Sequence, residues 1–391
     1  MNLYALWPYF AVLTAALLMI SIDSAFKAID NPARITRDRF ATLDGLRGFL
    51  AFGVFGHHAA VTHGYLLTGK WELPPSAFYI ALGEVGVSLF FMITGFLFWG
   101  KLLRNRGAPG WKKLYVGRFF RIAPVYLAII AAMLVLVLVR TDFKLQQPLY
   151  VVCWRILRWL SLGILGQPDV NGYEHTGLLL AGVTWTLQYE WFYYFSLPLL
   201  AVFAKTNRHL LFIFSGLASC LFMYALEPSP VFLYTSLFFC GMAAASLLHE
   251  GVRINCRGKL GVAVGVLCLW ILFANFQSLN GIIRVILMSI FFFIVSSGNT
   301  FLGILSMKPC RRLGEISYSI YLIHGFVLTM VFSIGSIRDY ALESHVQYWL
   351  SIAFCALLVV CAASLSYLFI ERPGMNSGSR QMIRYGLSSR S

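Results

Sequence analysis

Arg47 and His58 stand eleven residues apart in the run Arg39-Phe-Ala-Thr-Leu-Asp-Gly-Leu-Arg-Gly-Phe-Leu-Ala-Phe-Gly-Val-Phe-Gly-His-His58. Asp44, Arg47, His57 and His58 interrupt sequence that is otherwise apolar. A charged group in hydrocarbon costs several kcal/mol even on lenient insertion scales, so such residues mark a functional site by default. On a helix, eleven residues span about three turns, roughly 16 Å. One helix face thus links an end of a bilayer to its interior. Histidine suits proton transfer near neutral pH. Consecutive helix positions are about 100° apart, so only one of the two rings can face a given point. The Arg47 spacing selects His58 as the base and leaves His57 as a packing neighbour.

Three further constellations carry chemistry. Arg118-Phe-Phe-Arg-Ile-Ala-Pro-Val-Tyr126 places Arg118 and Arg121 three residues apart, on one side of an entering helix. Two forked guanidiniums suit a polyphosphate. Membrane anchoring accounts for Lys101 to Lys113 but not for Arg121, which already precedes continuous apolar sequence. Thr184-Trp-Thr-Leu-Gln-Tyr-Glu190-Trp-Phe-Tyr-Tyr194 sets a carboxylate among aromatics. A glutamate among so many rings is either paired with a cation or held near the outer interface; rings alone would form an interfacial belt, and a carboxylate inside it suggests a carbohydrate site. Gly314-Glu-Ile-Ser-Tyr-Ser-Ile-Tyr-Leu-Ile-His324 puts Ser317, Tyr318, Tyr321 and His324 on one helical face, and such a stripe usually faces a bundle interior.

The elements that position these groups follow from composition. With 59% hydrophobic and 12% charged residues, this is no ordinary soluble domain. Apolar runs long enough for about 30 Å of hydrocarbon fall near 4–22, 41–61, 79–100, 119–139, 177–204, 209–226, 230–248, 258–276, 282–298, 315–336 and 347–370. They predict an all-α polytopic membrane protein with about eleven transmembrane helices. Arg155 and Arg158 interrupt a further run at 150–166, which fits an interfacial or re-entrant helix. Lys and Arg number 31 against 16 acids, and they alternate between loops. One set holds Lys27 with Arg34, Arg37 and Arg39, Lys101 to Arg121, Lys205 with Arg208, Arg253 to Lys259, Lys308 to Arg312, and the tail Arg380, Arg384 and Arg390. The intervening loops carry few cations apart from Arg140 to Arg158. This positive-inside pattern predicts an outer N-terminus and a cytoplasmic C-terminus, and it argues against a nucleic-acid partner.

Met1-Asn-Leu-Tyr has no basic leader and no small-x-small cleavage site precedes Asp23, so the first run reads as a retained helix. Eight single cysteines have no metal-type spacing, and no metal site is expected. The predicted organisation is an extra helix and basic loop at 1–38, a membrane domain at 39–373 and a basic tail at 374–391.

Six segments, in order, resemble the motifs of the acyltransferase-3 family of integral membrane acyltransferases. They are Leu43-Asp-Gly-Leu-Arg-Gly48 with His58, Gly86-Val-Ser-Leu-Phe-Phe-Met-Ile-Thr-Gly-Phe-Leu97, Arg118 to Tyr126, Trp185-Thr-Leu-Gln-Tyr-Glu190, Ser317 to His324, and Ile370-Glu-Arg-Pro373. The family's Arg-x10-His motif falls on Arg47 and His58, and its Arg-x-x-Arg motif on Arg118 and Arg121. Ser88 stands where many members have Asp and Thr94 where many have Ser. The first span is an addition to the usual ten. The roughly eighteen residues after Pro373 leave no room for the hydrolase domain fused to some relatives.

The resemblance implies acyl transfer from acetyl-coenzyme A, a co-substrate rather than a bound cofactor, to a sugar hydroxyl outside a bacterial inner membrane. The expected catalytic set is His58, Arg47 and Glu190. Arg118 and Arg121 would hold donor phosphates, while Trp185, Tyr318, His324 and Asp44 would bind substrate. The expected partners are the donor, a glycan acceptor, foremost lipopolysaccharide O-antigen, and membrane lipids. A flippase of lipid-linked sugars is the rival, although the chain lacks the internal repeat common in transporters.

Overall fold

The computed structural model describes residues 2–30, 41–252 and 256–384. Arg34, Arg37, Arg39, Arg253 and Arg390, counted above as loop cations, lie outside them. Among the described residues there is no β-strand. In chain order the helices are α1 (Leu6–Ser21), α2 (Ala41–Thr68), α3 (Ala77–Arg104), α4 (Trp111–Arg140), α5 (Leu149–Leu160), α6 (Thr186–Ala204), α7 (His209–Leu226) and α8 (Pro230–His249). There follow α9 (Lys259–Asn275), α10 (Gly281–Ser296), α11 (Lys308–Glu315), α12 (Ser317–Phe332), α13 (Gly335–Glu343), α14 (His345–Ser366) and α15 (Arg372–Arg384).

Each of the eleven apolar runs falls on a helix. By length and composition, α3, α4, α7, α8 and the segment from α14 into α15 can each cross a membrane. Two bent pairs raise the number to seven: α1 with Asp23–Ile29, bent by 72°, and α11 with α12, bent by 70°. Helices α9 and α10 are shorter and apolar. The chain is an all-α polytopic membrane protein.

The run at 177–204 is not helical throughout. Residues Thr176–Leu180 and Val183–Trp185 form 3-10 turns, and α6 begins only at Thr186. Ala181 and Gly182 both have positive φ there, a conformation that stops a right-handed helix. The 150–166 segment is α5, a twelve-residue amphipathic helix with Tyr150, Trp154 and Leu157 exposed. Arg155 donates to the carbonyl of Asp169 and Arg158 to that of Leu165, which satisfies both guanidiniums beside the helix.

Glycine sets the closest helix contact. A Cβ on Gly45 would lie 1.9 Å from the Leu305 carbonyl oxygen, and one on Gly314 would lie 1.8 Å from that of Asp44. Glycine is a poor helix former, yet small residues let membrane helices approach closely. The α2 backbone therefore rests on that of α11 and the turn before it. Asp44 and Arg47 are held at that contact.

Helix α1 packs against α2, where a Cβ on Gly56 would meet the Tyr9 ring at 2.6 Å. Tyr79 and Trp349 donate to the carbonyls of Ala5 and Leu3. After α1, Arg312 of α11, 1% exposed, donates to Asp30, Asp23 and the Ile20 carbonyl. Those hydrogen bonds hold the Asp30 carboxyl below its ordinary value. Its contribution to stability is accordingly present above the ordinary carboxylate range and lost as pH falls through the lowered value. Arg312→Met should destabilise the folded protein by about 1–2 kcal/mol through loss of charged hydrogen bonds, since the Asp30 and Asp23 carboxylates left behind are partly exposed and can be hydrated. Thermal unfolding in detergent checks this, and an unchanged midpoint would show that the N-terminal segment is held by apolar packing alone.

Candidate active site

A cavity of about 620 Å³ lies between α2, α3, α4, α6 and α12. Its lining carries five cations, Arg47, Lys101, Lys113, Arg118 and Arg121, against two acids, Asp44 and Glu190. Arg118 and Arg121 share one face of α4, as the three-residue spacing requires. The Arg118 guanidinium lies 4.2 Å from the centroid of Phe98. Arg121 sits 3.5 Å from Glu371, which is 0% exposed, and donates to the sulfur of Met375. Arg47 lies 3.6 Å from Asp44, one turn away.

Glu371 follows from local chain chemistry. Residues Tyr367–Glu371 form a π-helical turn between α14 and α15, and Pro373 lacks the N–H that would continue the regular ladder. π-Turns recur at functional sites because they re-aim side chains. Ser319 donates to the other Glu371 oxygen at 3.0 Å. The carboxylate is thus held from α12 while it meets the guanidinium from α4.

The second locus is a pair of imidazoles. His58 Nδ1 and His324 Nε2 are 2.9 Å apart, and His324 Nδ1 is 3.0 Å from the Ile320 carbonyl oxygen. A carbonyl only accepts, so His324 carries its hydrogen on Nδ1 and, as a neutral ring, accepts through Nε2. His58 must then donate from Nδ1, which leaves its lone pair on Nε2. His57 instead points Nδ1 at the Tyr79 carbonyl, 2.9 Å away, and packs against α3 at Gly83.

The two loci meet at Tyr321. Its side chain lines the cavity, and its ring lies 6.3 Å from that of His324 between centroids. The Tyr321 hydroxyl is 3.0 Å from the Thr186 hydroxyl and donates to the Val183 carbonyl.

The structure therefore gathers Asp44, Arg47, Arg118, Arg121, Glu190 and Tyr318 around one cavity, and brings His58 to His324. Of the two settings expected for Glu190, the structure gives the one near cations: it lines the cavity with Arg118 and Arg121, and the Tyr194 hydroxyl donates to it at 2.7 Å. Tyr318 uses its hydroxyl to bond the Ile122 carbonyl, which ties α12 to α4. Trp185 reaches neither locus; its ring packs against Phe91, Tyr189 and Tyr234. Sequence reasoning gave no role to Glu371, noted only within Ile370-Glu-Arg-Pro373, or to Ser317, placed on the polar stripe of α12, whose buried hydroxyl has no hydrogen-bond partner among the described residues and stands on the cavity wall. It also assigned Lys101 and Lys113 to topology alone.

The chain is 26% identical to the peptidoglycan O-acetyltransferase OatA of Listeria monocytogenes over 385 residues, covering 88% of this chain and 57% of that protein. It is 25% identical over 385 residues to the Bacillus subtilis protein named "Putative peptidoglycan O-acetyltransferase YrhL", covering 88% and 56%. The chain spans somewhat more than half the length of these relatives. No solved structure matches it. The family profile described as an acyltransferase domain matches residues 40–370, and the chain belongs to that acyltransferase-3 family.

Proposed function

We propose that this chain is a membrane O-acetyltransferase that moves an acetyl group from acetyl-coenzyme A to a hydroxyl of an extracytoplasmic glycan. The observation that carries the reading is the pairing, along one helix, of a cation-lined cavity with a histidine whose lone pair falls on Nε2. Charge-assisted contacts from Arg118 and Arg121 suit the donor's phosphates, with Glu371 holding Arg121 in place. Lys101 and Lys113, which flank the basic loop between α3 and α4, are on the cavity lining, and this supports a cytoplasmic donor, an outer N-terminus and a cytoplasmic C-terminus in a bacterial inner membrane.

About 16 Å of α2 separates Arg47 from His58, and the donor's slender pantetheine arm would run along it past Tyr321. At His58, Nε2 accepts the proton of the acceptor hydroxyl as its oxygen attacks the thioester carbonyl. The carbon–sulfur bond breaks as the tetrahedral species collapses, and the departing thiolate takes the proton from the imidazolium. Stabilising the developing oxyanion needs a donor within hydrogen-bond reach of it; Arg47, about 16 Å away along α2, would instead face the donor's phosphates in the cavity. Prior transfer of the acetyl group to Nε2 would use the same lone pair. His324 acts by fixing the tautomer, comparable to the acid that orients the histidine of a hydrolase triad.

Lipopolysaccharide O-antigen is the acceptor that the sequence favours. Peptidoglycan is the second reading, because the matched relatives from Listeria and Bacillus are named for it. Membrane vesicles supplied with acetyl-labelled coenzyme A and each glycan decide both points. Label entering a glycan supports transfer, whereas glycan crossing the membrane without label supports a flippase.

His58→Ala should abolish labelling while the protein still inserts, and His57→Ala should retain it. The reverse result would overturn the assignment of the base. His324→Gln, which keeps an acceptor, should retain more turnover than His324→Leu at equal protein amount. Equal loss in both would mean that tautomer control is not its role. Arg121→Ala should weaken donor binding about ten- to a hundredfold, as loss of a charged hydrogen bond worth about 1.5–3 kcal/mol implies. Arg121→Lys should restore only part, since the forked geometry is lost. Unchanged donor affinity in the Arg118→Ala/Arg121→Ala double variant would return the pair to a topological role.

A further inference from the structure

His58 has one more aromatic neighbour, and neither the cavity nor the motifs account for it. Helix α2 ends at Thr68, where Gly69 adopts φ +71° and donates its N–H to the Tyr65 carbonyl. The Lys70 N–H bonds the Thr68 hydroxyl. This turn carries Trp71 back to the end of α2. The Trp71 indole lies nearly parallel to the His58 ring, at 26°, with centroids 6.0 Å apart. Tyr65, two turns beyond His58, presents its ring edge-on to Trp71 at 5.5 Å and 71°.

Trp71 is half-buried, Tyr65 is 36% exposed, and Lys70 and Glu72 on either side of the tryptophan are exposed. None of these four residues lines the arginine cavity. Tyr65 follows His58 on α2 and the other three lie in the turn after that helix, whereas Arg47, on the cavity wall, precedes His58.

An outward-facing interfacial belt would explain an isolated tryptophan at a helix end. Trp71 instead turns inward, onto the imidazole of the proposed base. An aromatic face offers apolar contact to the C–H face of a pyranose, and flanking charged groups bond its hydroxyls; convergent polar groups around such a wall are how sites fix ligand orientation. We propose that Trp71 and Tyr65, with Lys70 and Glu72, form the subsite that seats a sugar ring of the acceptor beside His58. This rests on the acyl-transfer reading and adds the acceptor's direction of approach. Donor and acceptor reach the imidazole from opposite ends of α2.

Equilibrium binding to the purified full-length protein, without donor, tests the subsite. The probes are isolated lipopolysaccharide and, in parallel, soluble peptidoglycan fragments. Trp71→Leu should weaken binding of the accepted glycan about three- to tenfold, the range expected for loss of an aromatic contact. Trp71→Phe should fall between, and Tyr65→Leu should act in the same direction from an exposed position that tolerates change. Acetyl-coenzyme A affinity should be unchanged in all three. Turnover should show a raised KM for glycan with KM for donor unaltered. A fall in kcat with glycan affinity and KM intact would overturn the proposal, since the indole would then only hold the imidazole. Wild-type protein that binds glycan through Trp71 yet transfers no acetyl would overturn the acyl-transfer reading alone.

Discussion

The backbone contact between α2 and α11 is the constraint on which the site depends. At Gly45 and Gly314 there is no room for a Cβ, so the two helices meet peptide to peptide. Asp44 and Arg47 sit within that contact, at the cavity wall. Helix α11 then bends by 70° into α12, which runs alongside α2 in the same direction and carries Tyr321 and His324. The register that sets Arg47 against the cavity therefore also sets His58 against His324. A shift along this pair would disturb both loci together. It is a packing reason for glycines inside a segment otherwise read for its charges.

Charge placement is the second constraint. Moving an ion out of water costs several kcal/mol even after relaxation, and a partner offsets this only with good geometry. The structure meets that cost in two ways. Glu371 is fully enclosed but meets Arg121 and Ser319, and Arg312 is enclosed but meets two carboxylates and a carbonyl. The cavity cations are instead gathered around an open volume, where like charges are tolerable because water or an anionic ligand can enter. Five cations against two acids leave the lining with a positive excess, and a polyanion suits it better than a neutral solute. Burial of Glu371 behind Arg121 orients the guanidinium without placing the acid on the lining.

Hydropathy made the helices legible, because each buried backbone group in hydrocarbon must be bonded within its own segment. It also located the Arg47 and His58 pair, since spacing along one helix is a local property. It reports where residues lie along a helix but not which neighbour each face meets. His58 and His324 are 266 positions apart, and no periodicity joins them. In sequence Glu190 has aromatic company, whereas in space it meets the Tyr194 hydroxyl on the wall of a cation-lined cavity. Trp185 looked equivalent to Glu190 because the two share a motif, yet its ring turns toward Tyr189 and Tyr234. The start of α6 was misplaced because leucines at 178–180 hide the left-handed residues that follow. Trp71 lies in a loop, where no period exists to read.

Tyr321 joins these threads. Its hydroxyl is tied to Thr186 and to the Val183 carbonyl, and those contacts couple α12 to the 3-10 turn before α6. Its ring touches the cavity on one side and approaches His324 on the other. With no imidazole on the cavity lining, a thioester held by Arg118 and Arg121 would not meet a histidine until its arm passed this ring. On the acyl-transfer reading, holding the polar cavity apart from the Nε2 lone pair would keep the water of that cavity away from the base, while the acceptor hydroxyl would arrive from the opposite side. The helix that links the two loci is thus also what keeps them separate.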